Sequence, residues 1–283
     1  MKRLIAFVAT LALATLACGF GINLPRLETG PTQTVTVSET LPDGDTVAEV
    51  SVSMGAGELS IAPGAQEAFV EGTIKYNVED WKPTVTNQAG KITIEQGQRD
   101  GISGLPNNDM VNEWDLKFGD APMKLEVQAG AYQGALDLSG LALRRLEIND
   151  GASEATVKFD SVNPEEMDEF RYSTGASSVK LEGLANANFE RLVFKGGVGD
   201  YTLDFSGELQ RDATVDIDAG VSSVRIVIPE GMNAEIKVSG GITDINTKGA
   251  WTVSGDDYSV SGSGPTLTIN VDMGVGSLTL ESK

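Results

Sequence analysis

Two groups of carboxylates come nearest to a chemical signature. Asp160, Glu165, Glu166, Asp168 and Glu169 fall within ten residues, and Asp216 and Asp218 stand two apart. A calcium site or the acid pair of a glycosidase would draw on such groups. Calcium loops repeat a fixed ligand spacing, and these two groups share none, so they read as a solvated loop and the polar face of a strand. Gly196-Gly-Val-Gly-Asp200 resembles one turn of a calcium-binding nonapeptide, but it occurs once and with the aspartate displaced, whereas bridging sites need successive turns. The chain has no histidine and one cysteine. That excludes an imidazole base, a Ser-His-Asp triad, a His-ligated metal and an internal disulfide. No Gly-x-Ser-x-Gly elbow occurs. The reading is of a protein that is not an enzyme, with no catalytic residue, no cofactor, no metal and an unknown ligand site. At a formal charge of −20 it has no affinity for nucleic acid, whose binding rests on Lys and Arg.

The single cysteine has a better use than a thiol. Lys2 and Arg3 precede an uncharged apolar run over residues 4–17, and Cys18 follows directly, which is the layout of an export signal. Fourteen helical residues at about 1.5 Å each fall well short of a hydrocarbon core of about 30 Å. Thr15-Leu16-Ala17-Cys18 resembles a bacterial lipobox, although the usual leucine and small residue three and two places before the cysteine are replaced by Thr15 and Leu16. The expectation is a signal peptide over residues 1–17 and lipid attachment at Cys18, with ordinary cleaved secretion and an uncleaved anchor as the alternatives. Cleavage there would take the charge to −22. Two or more acyl chains make anchoring stable. The partner expected first is therefore the membrane, through the N-terminal lipid, and then another envelope macromolecule or a glycan. The location is the outer face of the cell membrane, or a periplasmic or outer-membrane leaflet if there are two membranes. Residues 18–44 are assigned to lipid attachment and a tether, since residues 19–31 show no periodicity.

Elements able to position a surface begin beyond the tether. Helical periodicity is nearly absent there, and short runs with apolar residues two apart recur. One series runs Leu125/Val127, Leu146/Ile148, Phe170/Tyr172, Leu192/Phe194, Val215/Ile217, Ile236/Val238, Tyr258/Val260. A second, interleaved, runs Leu136/Leu138, Val157/Phe159, Val179/Leu181, Leu203/Phe205, Val224/Ile226, Ile245, Leu267/Ile269. Steps within each series are 21 to 24 residues, and glycine marks each junction: Gly130, Gly151, Gly175, Gly197, Gly220, Gly241 and Gly262. A period near 22 with a reused corner predicts an all-β, single-stack parallel β-solenoid with two short strands per turn. Its rival is an antiparallel meander folded as a sandwich, which tight two-residue hairpin loops would favour and the longer gaps here do not. Residues 45–118 are read as an N-terminal β region and residues 119–283 as the repeats, with residues 31–118 capping one end of the stack and residues 275–280 the other. The loops opposite the glycines vary in length and are the place expected to meet a partner.

Gly55-Ala-Gly-Glu-Leu-Ser-Ile61, Glu71-Gly72, Tyr76, Gly90-Lys-Ile-Thr-Ile94, Asn112-Glu-Trp-Asp-Leu116 and Leu136-Asp-Leu-Ser-Gly-Leu141 resemble the toast rack family over residues 45–280. These are exported or membrane-anchored bacterial proteins related to LiaF-type C-terminal domains and to β-solenoid adhesin-like proteins. The resemblance implies stacked short parallel strands outside the cytoplasmic membrane, no enzymatic activity, and no defined functional residues to carry over. Residues 97–109 depart from the simplest repeat.

Outward positions between the apolar pairs form two columns, Glu126, Glu147, Arg171, Val193, Asp216, Lys237, Ser259 and Asp137, Lys158, Lys180, Thr202, Arg225, Asn246, Thr268. Neither is an aromatic ladder for sugars or a basic stripe for phosphates. Trp114 is expected in the core and Trp81 at an exposed turn. The functional expectation is a non-enzymatic envelope lipoprotein displaying a rigid β surface as a scaffold or adhesin-like module. The alternatives are a LiaF-like accessory of envelope-stress sensing and, third, a polysaccharide-acting β-helix enzyme using Asp216 and Asp218.

Overall fold

The structure is a computed structural model that describes residues 28–42, 47–97, 109–241 and 243–283. It is all-β, with no α-helix among the described residues and two short 3-10 turns at Glu79–Trp81 and Leu184–Ala187. Alternating apolar residues give seven long strands, β2 (Ala48–Pro63), β7 (Met123–Asp137), β8 (Leu143–Lys158), β9 (Met167–Glu182), β10 (Phe189–Asp204), β11 (Ala213–Ile228) and β16 (Thr266–Ser282). They pair in parallel in the order β2-β7-β8-β9-β10-β11-β16. Each repeat is therefore one continuous strand of 15 to 17 residues, where two short strands were expected. The halves stay in one ladder because the glycine junction is a corner within a strand. Buried positions change parity there: Leu125, Val127 and Ala129 point inward before Gly130, Tyr132 and Leu136 after it. Both arms of every strand thus face a single core. Phe159, just beyond β8, and Phe170 on β9 meet edge to face at 6.0 Å, joining the far ends of the two arms.

The ends of the stack are built alike, against the expected order. On the far side of β2 lies a split layer, β5 (Lys91–Glu95) on the first arm and β6 (Asn112–Phe118) on the second. β4 (Thr84–Gln88) covers β5, while β3 (Val70–Tyr76) and then β1 (Gln33–Glu39) cover β6, all antiparallel. At the other end β16 inserts between β11 and a second split layer, β12 (Asn233–Gly240) and β13 (Asp244–Lys248). β15 (Asp257–Val260) and β14 (Thr252–Ser254) continue β12 as an antiparallel hairpin.

Five expectations change as a result. Residues 275–280 are inside the stack on β11, not its cap. Tyr258 and Val260 lie antiparallel on β12 rather than forming the next parallel layer. Gly274, not Gly262, is the corner of the last long strand, and β1 falls within the segment assigned to the tether. In the second arm Leu136, Val157, Leu181, Leu203, Ile226 and Leu280 share one column, so the expected pairing is out of step by two residues at Val179/Leu181 and again at Val224/Ile226.

Candidate functional site

The glycine corner is the most regular feature of the molecule. A Cβ on Gly130, Gly151, Gly175, Gly197, Gly220, Gly274 or Gly241 would lie 2.3 to 2.8 Å from the carbonyl oxygen of the corner glycine in the layer beneath. Backbone contact between layers, rather than a left-handed conformation, is what demands glycine there. Outside the corner a column runs Ala56, Ala131, Ala152, Ala176, Val198, Val221, Val275 through successive layers. Val198 and Val221 are 57% exposed and Val275 is 54% exposed, so the apex is an apolar ridge.

Inside the corner the column is polar. The Tyr132 ring lies against Gly134, and the Tyr201 ring reaches across the corner to Gly196; a Cβ on either glycine would come within 2.5 Å of the ring. Tyr201 meets Phe194 edge to face at 5.0 Å, and Phe194 stacks on Tyr172 at 5.7 Å. Tyr172 Oη donates to Asp150 Oδ2 at 2.7 Å, and Thr174 Oγ1 and Ser177 Oγ donate to Asp150 Oδ1. Burial, reinforced by the Asp150 charge, pushes Tyr201 up to about 12. Burial likewise raises Tyr132 and Tyr172 well above the ordinary phenol, so all three stay neutral. The hydroxyls of Tyr132, Ser153, Tyr201 and Ser222 are buried and close no well-aligned hydrogen bond within the protein. Two shallow hollows of about 680 and 700 Å³ flank the corner, one beside Asp150 and Thr174, the other beside Tyr132 and Ser177.

The acidic groups do not converge. Asp160 pairs with Lys158, Glu165 with Arg144 at 2.9 Å, Glu166 with Arg211 at 3.2 Å, and Glu169 with Arg145 and Arg171 at 2.9 and 3.0 Å. Asp216 Oδ2 accepts from Arg191 at 2.7 Å and Oδ1 from Asn270 at 2.9 Å, while Asp218 is exposed on the same face. Among the described residues no cluster of three or more His, Cys, Asp or Glu could hold a metal. Gly196, Gly197 and Val198 of the nonapeptide-like stretch form the β10 corner. Trp114 is 1% exposed and donates Nε1–H to Asn112 Oδ1 at 2.8 Å; Trp81 is half-buried on its 3-10 turn. Cys18 and residues 98–108 lie outside the described residues.

Two structural side chains escaped the sequence reading. Asn163, 1% exposed in the loop read as solvated, donates to the carbonyls of Leu143 and Ala187 and accepts from the amides of Leu143 and Glu165. Asn186 donates to Phe159 O and accepts from Glu208 N. They stitch the connections opposite the glycines across three layers. A polar residue in a loop gives no sequence signal of burial, though asparagine's paired donor and acceptor are suited to replacing a missing ladder bond.

No protein of curated function matches this chain. Among solved structures, a candidate cell adhesion protein from Clostridium sporogenes is 19% identical over 89% of this chain and 99% of its own, with a TM-score of 0.47. A candidate adhesin from Bacteroides fragilis is 11% identical, over 88% and 97%, with a TM-score of 0.35. A candidate lipid binding protein from Parabacteroides distasonis is 10% identical, over 92% and 100%, with a TM-score of 0.37. The profile described as the N-terminal domain of toast_rack, DUF2154, matches residues 28–182 and 169–227, and the chain belongs to the toast rack family.

Proposed function

We propose that this protein is a non-enzymatic lipoprotein of the cell envelope, anchored through Cys18, whose solenoid stack is displayed as a rigid adhesin-like surface. The observation that carries the reading is the treatment of charge on the outer faces. Arg145–Glu169, Arg191–Asp216 and Arg225–Glu281 each bridge different layers, at 2.9, 2.7 and 2.6 Å. Carboxylates held by arginines are not poised to act as acid or base, whereas a series of interlayer bridges suits a surface that must keep its shape. Exposed pairs add little stability singly, so their effect is on face rigidity and solubility.

The experiment compares cells expressing the full chain with cells expressing Cys18→Ser. Display predicts that external protease reaches the chain on intact wild-type cells, that the mature N-terminal peptide carries diacylglycerol, and that the variant is released into the medium. Wild-type cells should also gain attachment to cells or matrix in 150 mM salt, roughly the physiological screening regime. An unmodified cysteine, a chain shielded from protease, or unchanged attachment would each count against the proposal.

A further inference from the structure

The C-terminal end of the stack is stepped. On the first arm β15 and β14 carry the sheet two strands beyond β12, while on the second arm the described sheet stops at β13. Val253 is the residue that this step leaves stranded. Through Tyr258, Ile236 and Ile269 its register leads to Val215, an inward-facing core position. Val253 therefore sits in the core column but is 53% exposed, because among the described residues no strand of the opposite arm reaches its level.

We propose that a second copy of this chain supplies that arm, the two copies joining end to end at their C-terminal steps about a two-fold axis that bisects the angle between the arms. Such an axis exchanges the arms. The two-strand overhang of each copy then fills the two-strand recess of the other, and the junction closes without open-ended growth. Strand sense agrees: β14 runs toward the corner and β13 away from it, so β14 of one copy meets β13 of the other antiparallel. Position agrees too. Val253 aligns with the inward position Val215, five residues before the corner Gly220, and the pleat is matched when it faces Ile245 or Thr247 of the other copy, which align through Leu278 and Leu280 with the inward positions Val224 and Ile226, four and six residues after the corner. The exposed edge of β13 gains a partner, the remedy an open edge calls for. The N-terminal ends of the copies point away from each other, so the pairing is independent of the surface-display reading but would let anchored copies bridge facing membranes.

Sedimentation of the full chain in density-matched detergent tests this. The expected result is a dimer at tens of micromolar, at least tenfold weakened by Val253→Asp and by Asn246→Pro, and unchanged by Val198→Asp at the exposed corner. In a Cys18→Ser background, mixing Val253→Cys with Ile245→Cys or with Thr247→Cys should give, in one of the two mixtures, a disulfide-linked dimer on oxidation that no single variant gives alone. Thermal unfolding of each variant separates loss of pairing from loss of fold. A wild-type chain that stays monomeric to about 100 μM, a ladder of higher oligomers, or a dimer indifferent to Val253→Asp and Asn246→Pro would overturn the proposal.

Discussion

Gly175 stands so close over Gly151 that a Cβ on the first would lie 2.4 Å from the carbonyl oxygen of the second. The atom in the way is backbone and cannot swing aside, so accommodation must come from the spacing of the layers. Gly175→Ala should therefore cost about 1–3 kcal/mol or more. Val198→Ala, one step along the same corner but outside it, should stay within about 0.5 kcal/mol. Denaturant midpoints of the two variants decide the matter; equal stability would show that layer contact is not what selects glycine.

Tyr172→Phe keeps the ring against Phe194 and removes only the donor to Asp150. A hydrogen bond to a charged group is worth about 1.5–3 kcal/mol, and that is the expected loss. Asp150→Asn, which remains an acceptor for Thr174 and Ser177, should cost less than Asp150→Ala by the same measurement.

Asn163→Ala removes the side-chain donor to the Leu143 and Ala187 carbonyls, at about 1–3 kcal/mol for a buried acceptor left bare, while the Leu143 amide keeps its bond to the Leu141 carbonyl. Beyond the global loss, amide exchange should accelerate selectively over residues 160–169, because local opening is what the side chain prevents. Uniform exchange across the stack would contradict this.

Acid sensitivity arises from the outer-face pairs. The Arg225 hydrogen bond holds Glu281 below its ordinary value against a smaller effect of burial. For Asp216 partial burial pulls upward, and the Asn270 and Arg191 bonds together outweigh it and lower the carboxyl. A carboxyl lowered in the folded state binds protons more weakly there than in the unfolded chain. Its contribution is complete at neutral pH, declines as pH falls past the ordinary carboxylate value near about 4, and is gone below the folded value. Glu281→Gln should therefore reduce the stability difference between pH 7 and roughly pH 3, followed by chemical unfolding across that range.

High salt offers a further discrimination. Exposed bridges such as Arg145–Glu169 are screened over about 8–10 Å, while the glycine corner and the apolar columns are not. Raising salt to about 1 M should leave the Gly175→Ala defect intact and shrink any defect of Arg145→Ala.

Much of the architecture was written locally. Period-two alternation around Leu125/Val127, Leu146/Ile148 and Phe170/Tyr172 marks strands with one buried face, and glycine at Gly130, Gly151, Gly175, Gly197 and Gly220 marks the corner. Those features are legible because each residue's requirement is met within its own layer or the next. Register in the second arm was less legible. Gly134 and Ala155 fill inward positions where Tyr132 supplies the missing bulk, so the column lacks the apolar pair that would announce it.

What the sequence by itself determined was a parallel stack with a glycine corner and the exclusion of histidine chemistry. What only the tertiary structure decided was which strand lies beside which. Ile269 pairs with Val215 and Ile236, although Ile236 comes first in the chain, because the C-terminal strand inserts beside β11. An apolar pair carries the same pattern whichever layer it joins, so periodicity cannot rank those partners. The exposure of Val253, the burial of Asn163 and the separate ion pairs that divide the acidic loop all stem from that choice of neighbours. Each depends on a residue far along the chain, where local pattern has no reach and packing alone selects.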